Sequence, residues 1–310
     1  MNWRERWRWW RARRRHHPPD EIHRAGELAE QRLAKLARAA GRPNGWHVFE
    51  SVRIPDHEQG GKREIDLVIV GGNTLLVVEQ KHWSGTFEIN DDNEFIQHRK
   101  NGTTHNHSTV HERISRKARM LASMYHSLAP NEIPPAVEVV LAFTNRNLTW
   151  PEEVQALEGR VLDEGEFIAM LEQEQPGKLN QALYDTVAGF GTWDEVVLNG
   201  GLVRKGDVLD LGLGEHVHEW QAQRGVELIG TVHHQTGWRS LLSRTPSAIN
   251  LAFDSHRLQA VLPSTATLRM HVVGHDSPEN VEWAAVANIN LSKPDTTTPA
   301  LDESVGADLE

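Results

Sequence analysis

The chain of 310 residues contains no cysteine. This absence excludes a disulfide framework, cysteine-ligated zinc, an iron–sulfur cluster and a thiol nucleophile. Any metal ion bound by this protein must therefore be held by carboxylate, imidazole or carbonyl groups.

Long apolar runs are also missing, and no stretch approaches the roughly 18 apolar residues of a membrane span. The opening segment MNWRERWRWWRARRR has no apolar core followed by a small-residue cleavage site. We therefore expect a cytoplasmic protein without stable membrane insertion. An apolar fraction of 38% is typical of a globular chain, and 310 residues are enough for two domains.

Charge is distributed unevenly along the chain. The formal net charge is −10, which argues against a surface that coats nucleic acid throughout. Residues 1–15 nevertheless contain seven arginines, four tryptophans and one glutamate. Three interpretations of this arm remain open: it binds phosphates while its indoles stack on bases, it lies in a membrane interface, or it is a solvated tail.

The order of hydrophobic patterns predicts two domains of different class. A helical pattern, three strand patterns, a second helix, a further strand and later helices indicate an α/β domain. Short apolar runs separated by Gly, Pro, Asn and Asp follow and indicate a smaller β-rich C-terminal domain. The predicted organisation is an arm at 1–19, the α/β domain at 20–192, the β-rich domain at 193–292 and an acidic disordered tail at 293–310.

A predicted hairpin brings charged residues together at one strand end. The segments EIDLVIV and TLLVVEQK flank a tight turn at residues 71–74. Antiparallel pairing about this turn places Asp66 opposite Glu79, and Glu64 opposite Lys81. Because side chains alternate with period two, all four point to one face, at the end of the hairpin away from the turn.

These residue types suit metal-assisted chemistry at a phosphate. Two neighbouring carboxylates repel and raise each other's pKa unless a cation lies between them, and carboxylate oxygens suit Mg²⁺ or Mn²⁺. Lys81 could orient or activate a water, or neutralise charge that develops on a phosphate. The alternative is a salt-bridged strand end. Charges beside uninterrupted apolar strands are costly without a partner, which favours a site.

The segment GGKREIDLVIVGGNTLLVVEQKHWSG, preceded by RAGELAEQRLAKL and followed by NHSTVHERISRKARML, also resembles a known family. Over about residues 22–125 it is similar to the nuclease-related domain, or NERD, family of the PD-(D/E)xK superfamily. The resemblance implies a restriction-endonuclease-like fold, with a central mixed sheet flanked by helices. The HWSG motif at residues 82–85 is part of the family pattern.

The family pattern also assigns roles to individual residues. It implies that Asp66 and Glu79 are metal ligands, that Lys81 is the catalytic lysine, and that Glu27 is an additional acid near the metal. Asp56 follows Pro55 and spells the literal PD, but no hairpin register places it opposite Glu79, so Asp66 is preferred.

One further candidate cluster carries imidazoles. Four histidines could form a separate metal site, although chance clustering is common in a chain with 18 histidines. They are His98, His105, His107 and His111.

The resulting prediction is a Mg²⁺- or Mn²⁺-dependent nuclease that hydrolyses phosphodiester bonds in DNA, with the arginine-rich arm adding sequence-independent affinity. The alternative is a non-cleaving nucleic-acid-binding module with a nuclease-like fold. Both make nucleic acid the partner, and both leave open whether the protein is a homo-oligomer.

Overall fold

The structure is a computed structural model that describes residues 3–19, 21–57, 61–90, 94–150, 160–213, 228–235, 247–253 and 257–293. The predicted tail, apart from residue 293, lies outside these residues. The chain divides into two compact units, one of residues 25–190 and the other of residues 3–24 with 191–293. No helix among the described residues combines the length and apolarity needed to span a membrane.

Five α-helices are described: α1 (Trp3–Arg14), α2 (Glu21–Gly41), α3 (Val110–Leu128), α4 (Glu164–Gln173) and α5 (Gln181–Gly189). The strands up to residue 163 are β1 (His47–Pro55), β2 (Lys62–Gly71), β3 (Thr74–Lys81), β4 (Gly85–Ile89), β5 (Phe95–His98), β6 (Thr104–Asn106), β7 (Ala136–Phe143), β8 (Leu148–Thr149) and β9 (Arg160–Asp163). The later strands are β10 (Asp194–Leu198), β11 (Val203–Asp210), β12 (Leu228–His234), β13 (Ser247–Ala252), β14 (Arg257–Leu262), β15 (Thr267–Val272), β16 (Glu279–Glu282) and β17 (Val286–Leu291).

The first unit is built around a five-stranded mixed sheet of order β1-β2-β3-β7-β9. Strands β1, β2 and β3 pair antiparallel, whereas β3, β7 and β9 pair parallel. Leu33 of α2 and Phe167 of α4 pack on one face, and Ile114 of α3 and Leu183 of α5 pack on the other. Because both faces are covered, β2 and β3 are nearly continuous apolar runs. This confirms the predicted mixed α/β class.

A smaller sheet of order β6-β5-β4-β8 adjoins the end of β3 in the chain. Its buried residues Phe87 and Phe95 form a cluster with Phe143, the last residue of β7. The HWSG motif connects β3 to β4, with Gly85 as the first residue of β4, so the small sheet directly follows Lys81 of the predicted site.

The second unit contains an eight-stranded sheet of order β14-β13-β12-β17-β10-β11-β15-β16, in which every neighbouring pair is antiparallel. Trp283 is buried in its core and donates a hydrogen bond from Nε1 to the carbonyl of Leu211 at 2.8 Å. A β-rich C-terminal region was predicted, and the structure confirms it.

The basic arm forms helix α1 and packs within this β-rich unit. Trp9 and Ala12 are buried against Ala284, and Trp9 Nε1 donates to Ser247 Oγ at 3.2 Å. The backbone N–H of His17 donates to the carbonyl of Asn199 at 2.7 Å. The interpretation of this arm as a solvated tail is therefore wrong for residues 3–14, because the buried indole gives the helix a partner.

Candidate functional site

The β2–β3 hairpin has the register that the sequence predicts. Its paired residues run from Gly71–Thr74 next to the turn to Leu67–Val78 at the far end. Asp66 and Glu79 are the next residues on each strand, so they lie together just beyond the last pair. Strand β3 itself continues alongside β7 as far as Lys81.

Helix α3 covers the face on which these side chains lie. Val68 and Val77 contribute to the core beneath α3, and they have the same strand parity as Asp66 and Glu79. On this face the apolar side chains under α3 are therefore followed, at the end of the hairpin, by the polar side chains of Asp66 and Glu79. Helix α3 brings Lys117 to that position.

Glu79 holds an ammonium group on each carboxylate oxygen. Lys81 Nζ donates to Glu79 Oε1 at 2.7 Å, and Lys117 Nζ donates to Glu79 Oε2 at 2.8 Å. Asp66 Oδ2 accepts a hydrogen bond from the backbone N–H of Gln80 at 2.7 Å. Two acids and two lysines thus share one partly buried cluster, whose formal charges cancel when all four groups are ionised.

The two carboxyl groups differ in their affinity for a proton. Burial, reinforced by the charge of Glu79, raises the pKa of Asp66 to about 7. Burial also acts to raise the pKa of Glu79, but the ammonium groups of Lys81 and Lys117 outweigh it and lower that pKa. Glu79 therefore carries its charge at neutral pH, whereas Asp66 lies near the midpoint of its titration. Such opposed pKa shifts in neighbouring groups are typical of functional sites.

The backbone of β1 is distorted at the position opposite Asp66. Glu50 pairs with Leu67 and Val52 pairs with Ile65, so Ser51 lies opposite Asp66. Ser51 has a φ of 48°, in the left-handed region that costs a non-glycine residue roughly 1–3 kcal/mol. Distortion of this kind clusters at functional sites.

Two of the predicted acids are not seen among the contacts of this cluster. Glu64 was predicted to lie opposite Lys81; the β2–β3 pairing ends at Leu67–Val78, so this stays a prediction, and on its other side Glu64 pairs with Arg53 of β1. Where the pairing ends, the Asp66 side chain accepts a hydrogen bond from the N–H of Gln80. Glu27 is half-buried on α2 and takes part in a polar interaction, and its place in the site stays a prediction.

The competing acid Asp56 has structural partners instead. Its side chain is 0% exposed and accepts from Arg63 Nε at 2.7 Å and from Arg116 Nη2 at 2.9 Å. Two guanidinium groups that hold one buried carboxylate form a stable ion-pair network. This arrangement supports the choice of Asp66 over Asp56.

The histidine cluster does not form a metal site in the part of the chain that the structure describes. Within these residues, no group of three or more His, Asp or Glu side chains is placed to hold a metal ion. His107 instead stacks on Trp83, with 3.9 Å between ring centroids. Burial lowers the pKa of His107 to about 4, with the nearby charges of His105, Lys81, Arg99 and Arg113 acting in the same direction.

The HWSG motif fixes the chain where it leaves the site. Trp83 contacts the Phe87 and Phe143 rings. Gly85 has a φ of 100°, and a Cβ atom there would lie 2.1 Å from the carbonyl oxygen of His98. The glycine is needed both for its backbone conformation and for the close approach of β5.

We expect Gly85→Ala to lower the free energy of unfolding by roughly 3 kcal/mol, because it combines a left-handed backbone with a backbone clash. The matched control is Gly102→Ala, since Gly102 also has a positive φ of 83° but a methyl group added there would meet no atom within 4 Å. It should lose only about 1 kcal/mol. Chemical denaturation measures both, and equal losses would contradict the steric explanation.

Lys117 is the site residue that the sequence did not single out. From the sequence, Lys117 belongs to a run of basic residues that could either contact a phosphate backbone or form the solvated face of a helix. Its signal is its spacing: it lies three residues after Ile114 and four before Leu121, both of which are buried. A lysine within the apolar stripe of a helix points towards the sheet and needs an acidic partner there.

The fold and the cluster together define an α/β domain with paired acids and lysines at a strand end. Comparison with protein families gives one finding for this domain: residues 25–144 match the family described as NERD, nuclease-related domain. The match confirms the resemblance that the sequence motifs indicated. Searches of curated proteins and of solved structures gave no match.

Proposed function

We propose that this protein is a nuclease of the PD-(D/E)xK type, with a restriction-endonuclease-like fold, that hydrolyses phosphodiester bonds in DNA with the help of Mg²⁺ or Mn²⁺. The observation that carries the proposal is the cluster of Asp66, Glu79 and two lysines at the end of the β2–β3 hairpin, within the residues that match the nuclease-related domain. The match to the family supports nuclease chemistry, and the metal and the substrate are part of the proposal.

The donor set fits a hard divalent cation. Asp66 and Glu79 supply carboxylate oxygens, and a carboxylate has about four lone-pair positions, so each Glu79 oxygen keeps one beyond its ammonium contact. Burial is the main cause of the raised pKa of Asp66, and the charge of Glu79 adds to it; a bound cation would offset both effects. Water and phosphate oxygens would complete the coordination of Mg²⁺, which retains several such ligands in proteins.

Each residue of the cluster would have its own role at the phosphate. Asp66 and Glu79 would hold the metal, which when bound polarises the phosphate and lowers the pKa of a water molecule. Glu79 fixes the Lys81 ammonium beside the site, where it would orient the attacking water or offset charge on the phosphate. Lys117 holds the second Glu79 oxygen and adds positive charge from α3.

Positive charge next to the site supports an anionic polymer as substrate. Lys81, Arg99 and Arg113 are close enough to His107 to lower its pKa by their charges. Lys81 ends β3, Arg99 lies in the turn between β5 and β6, and Arg113 is on α3, in a chain whose formal net charge is −10. Converging cations on an acidic protein mark a local phosphate-binding surface.

The test is cleavage of end-labelled single- and double-stranded DNA, with RNA of the same sequence in parallel, in Mg²⁺, Mn²⁺ or EDTA. We expect cutting of DNA in at least one metal and none in EDTA, because the acids alone cannot polarise the phosphate. Binding without cutting in every metal would contradict the proposal and favour a non-cleaving module. Cutting of RNA alone would contradict the assignment of DNA.

A further inference from the structure

Helix α1 has two different faces. Its buried face carries Trp9 and Ala12, and Arg13 on that side donates to the carbonyl of Gln235 within the same unit. On the other side, Trp3 and Trp7 are 63% and 44% exposed. The helix is therefore held by one tryptophan and presents others to solvent.

The exposed face has an ordered arrangement of rings and cations. Trp3, Trp7 and Trp10 follow one another at four and three residues, so they form one stripe along the helix. Trp3 and Trp7 are its exposed rings, and Trp10 is partly buried against the Trp9 cluster. Arg4, Arg8 and Arg11 repeat the same spacing one residue later and form a second stripe beside the first.

Two ring contacts keep the aromatic stripe in place. The Trp7 and Trp10 rings stack with 5.0 Å between centroids. The Arg14 guanidinium lies 4.0 Å from the centre of the Trp10 ring. Rings that are already stacked and partly ordered lose less entropy when a ligand stacks on them.

We propose that this face of α1 binds single-stranded nucleic acid, with the arginine stripe on the phosphates and the exposed indoles on the bases. Residues 1–15 contain seven arginines and one glutamate, a charge of +6 before the termini are counted, in a chain of net charge −10. Cations beside aromatic platforms are the arrangement by which proteins hold unpaired strands without sequence preference. Duplex DNA offers phosphates but hides the faces of its bases.

The geometry favours nucleic acid over a membrane surface. A membrane-bound amphipathic helix buries its apolar face in the lipid and keeps its cations on the opposite face. The face of α1 that carries the apolar residues Trp9 and Ala12 is already occupied by the β-rich unit. The tryptophans that remain exposed lie directly beside arginines.

The inference rests on the proposed function for its class of ligand, nucleic acid, but its test is independent of cleavage. Binding of the full-length protein to a fluorescent single-stranded oligonucleotide is measured by anisotropy in EDTA at several salt concentrations. The variant Arg4→Gln/Arg8→Gln is compared with Arg257→Gln/Arg269→Gln, which removes the same charge from exposed positions of the same unit.

Loss of two phosphate contacts should reduce the slope of log affinity against log salt by about 1.4, at roughly 0.7 per contact for a single strand. The control pair should leave the slope unchanged. Trp3→Ala should weaken binding about fivefold or more, because stacking on one base contributes roughly 1–3 kcal/mol, whereas Trp3→Phe should retain most of the affinity. Trp3 is 63% exposed, so neither change disturbs the core.

Equal affinity and slope in the α1 variants and the wild type would overturn the proposal, even if the wild type cleaves DNA. Variants that lose binding to vesicles of anionic phospholipid, but not to the oligonucleotide, would also overturn it and assign the face to a membrane. Strand binding that depends on Arg4, Arg8 and Trp3 would support the proposal even if no metal gave cleavage, in which case only the nuclease assignment would fail.

Discussion

Lys81→Ala is expected to lower the rate of metal-dependent DNA cleavage by about a hundredfold or more, while the fold is retained. The Lys81 ammonium lies 2.7 Å from Glu79 Oε1, and Lys81 is the last residue of β3, two positions after Glu79. Removing one preorganised group that stabilises developing charge typically costs about 10²–10³ in rate. Single-turnover cleavage with enzyme in excess measures the effect on the chemical step.

The matched control is Lys100→Ala, which removes the same charge from an exposed position in the turn between β5 and β6. It should cleave within about twofold of the wild type. Lys117→Ala should lose activity by a factor similar to Lys81→Ala, because its ammonium holds the other oxygen of the same carboxylate. A folded Lys81→Ala protein that cleaves at the wild-type rate would refute the role given to this lysine.

The core of the site could be predicted from the sequence because it depends on local rules. The turn at residues 71–74 fixes the register of β2 and β3, and period two fixes which side chains share a face. These rules place Asp66, Glu79 and Lys81 together at one strand end, and the resemblance to the family supplied their proposed roles. The structure places Asp66 and Glu79 just beyond the last backbone pair, as the register requires.

The parts that were missed depend on tertiary packing. Lys117 reaches Glu79 only because α3 lies on the same face of the sheet, which no local pattern specifies. Glu64 was placed opposite Lys81 because the hairpin was extended as a regular ladder, whereas the β2–β3 pairing ends at Leu67–Val78, where the Asp66 side chain accepts from the N–H of Gln80. The spacing of residues along the chain does not indicate where a side chain, rather than a backbone carbonyl, accepts a hydrogen bond from a backbone N–H.

The basic arm was ambiguous from sequence for a related reason. Its tryptophans and arginines fit a tail, a membrane surface or a nucleic-acid contact. Burial of Trp9 against Ala284, more than 270 residues further along the chain, decides that the segment is a packed helix. Contacts at this sequence separation lie outside any local pattern.

Asp66→Asn is expected to stabilise the metal-free protein at pH 8, by on the order of 3 kcal/mol in the free energy of unfolding, although it should abolish cleavage. The pKa of Asp66 is about 7 in the folded protein, against about 3.9 for an unperturbed aspartate. A raised pKa means that the folded state binds the proton more tightly than the unfolded state. The wild-type carboxyl therefore costs stability increasingly as pH rises from about 4 through 7, and asparagine avoids that cost.

The pH dependence gives this prediction a second measurement. The stability difference between Asp66→Asn and the wild type should be largest at pH 8 and should narrow as pH falls towards 4, where Asp66 is protonated in the folded protein. Urea denaturation in EDTA at pH 8, 6 and 4.5 measures it. A difference that does not change with pH would contradict the raised pKa of Asp66.

Glu79→Gln provides the contrast that separates a functional site from a structural ion-pair cluster. It leaves the partly buried ammonium groups of Lys81 and Lys117 without their carboxylate, so it should destabilise the protein by about 2 kcal/mol or more. If the cluster served only to stabilise the strand end, Asp66→Asn and Glu79→Gln should both destabilise. Opposite signs would mean that the fold maintains an unfavourable charge at Asp66, which is expected where a carboxylate is kept for a cation and a phosphate.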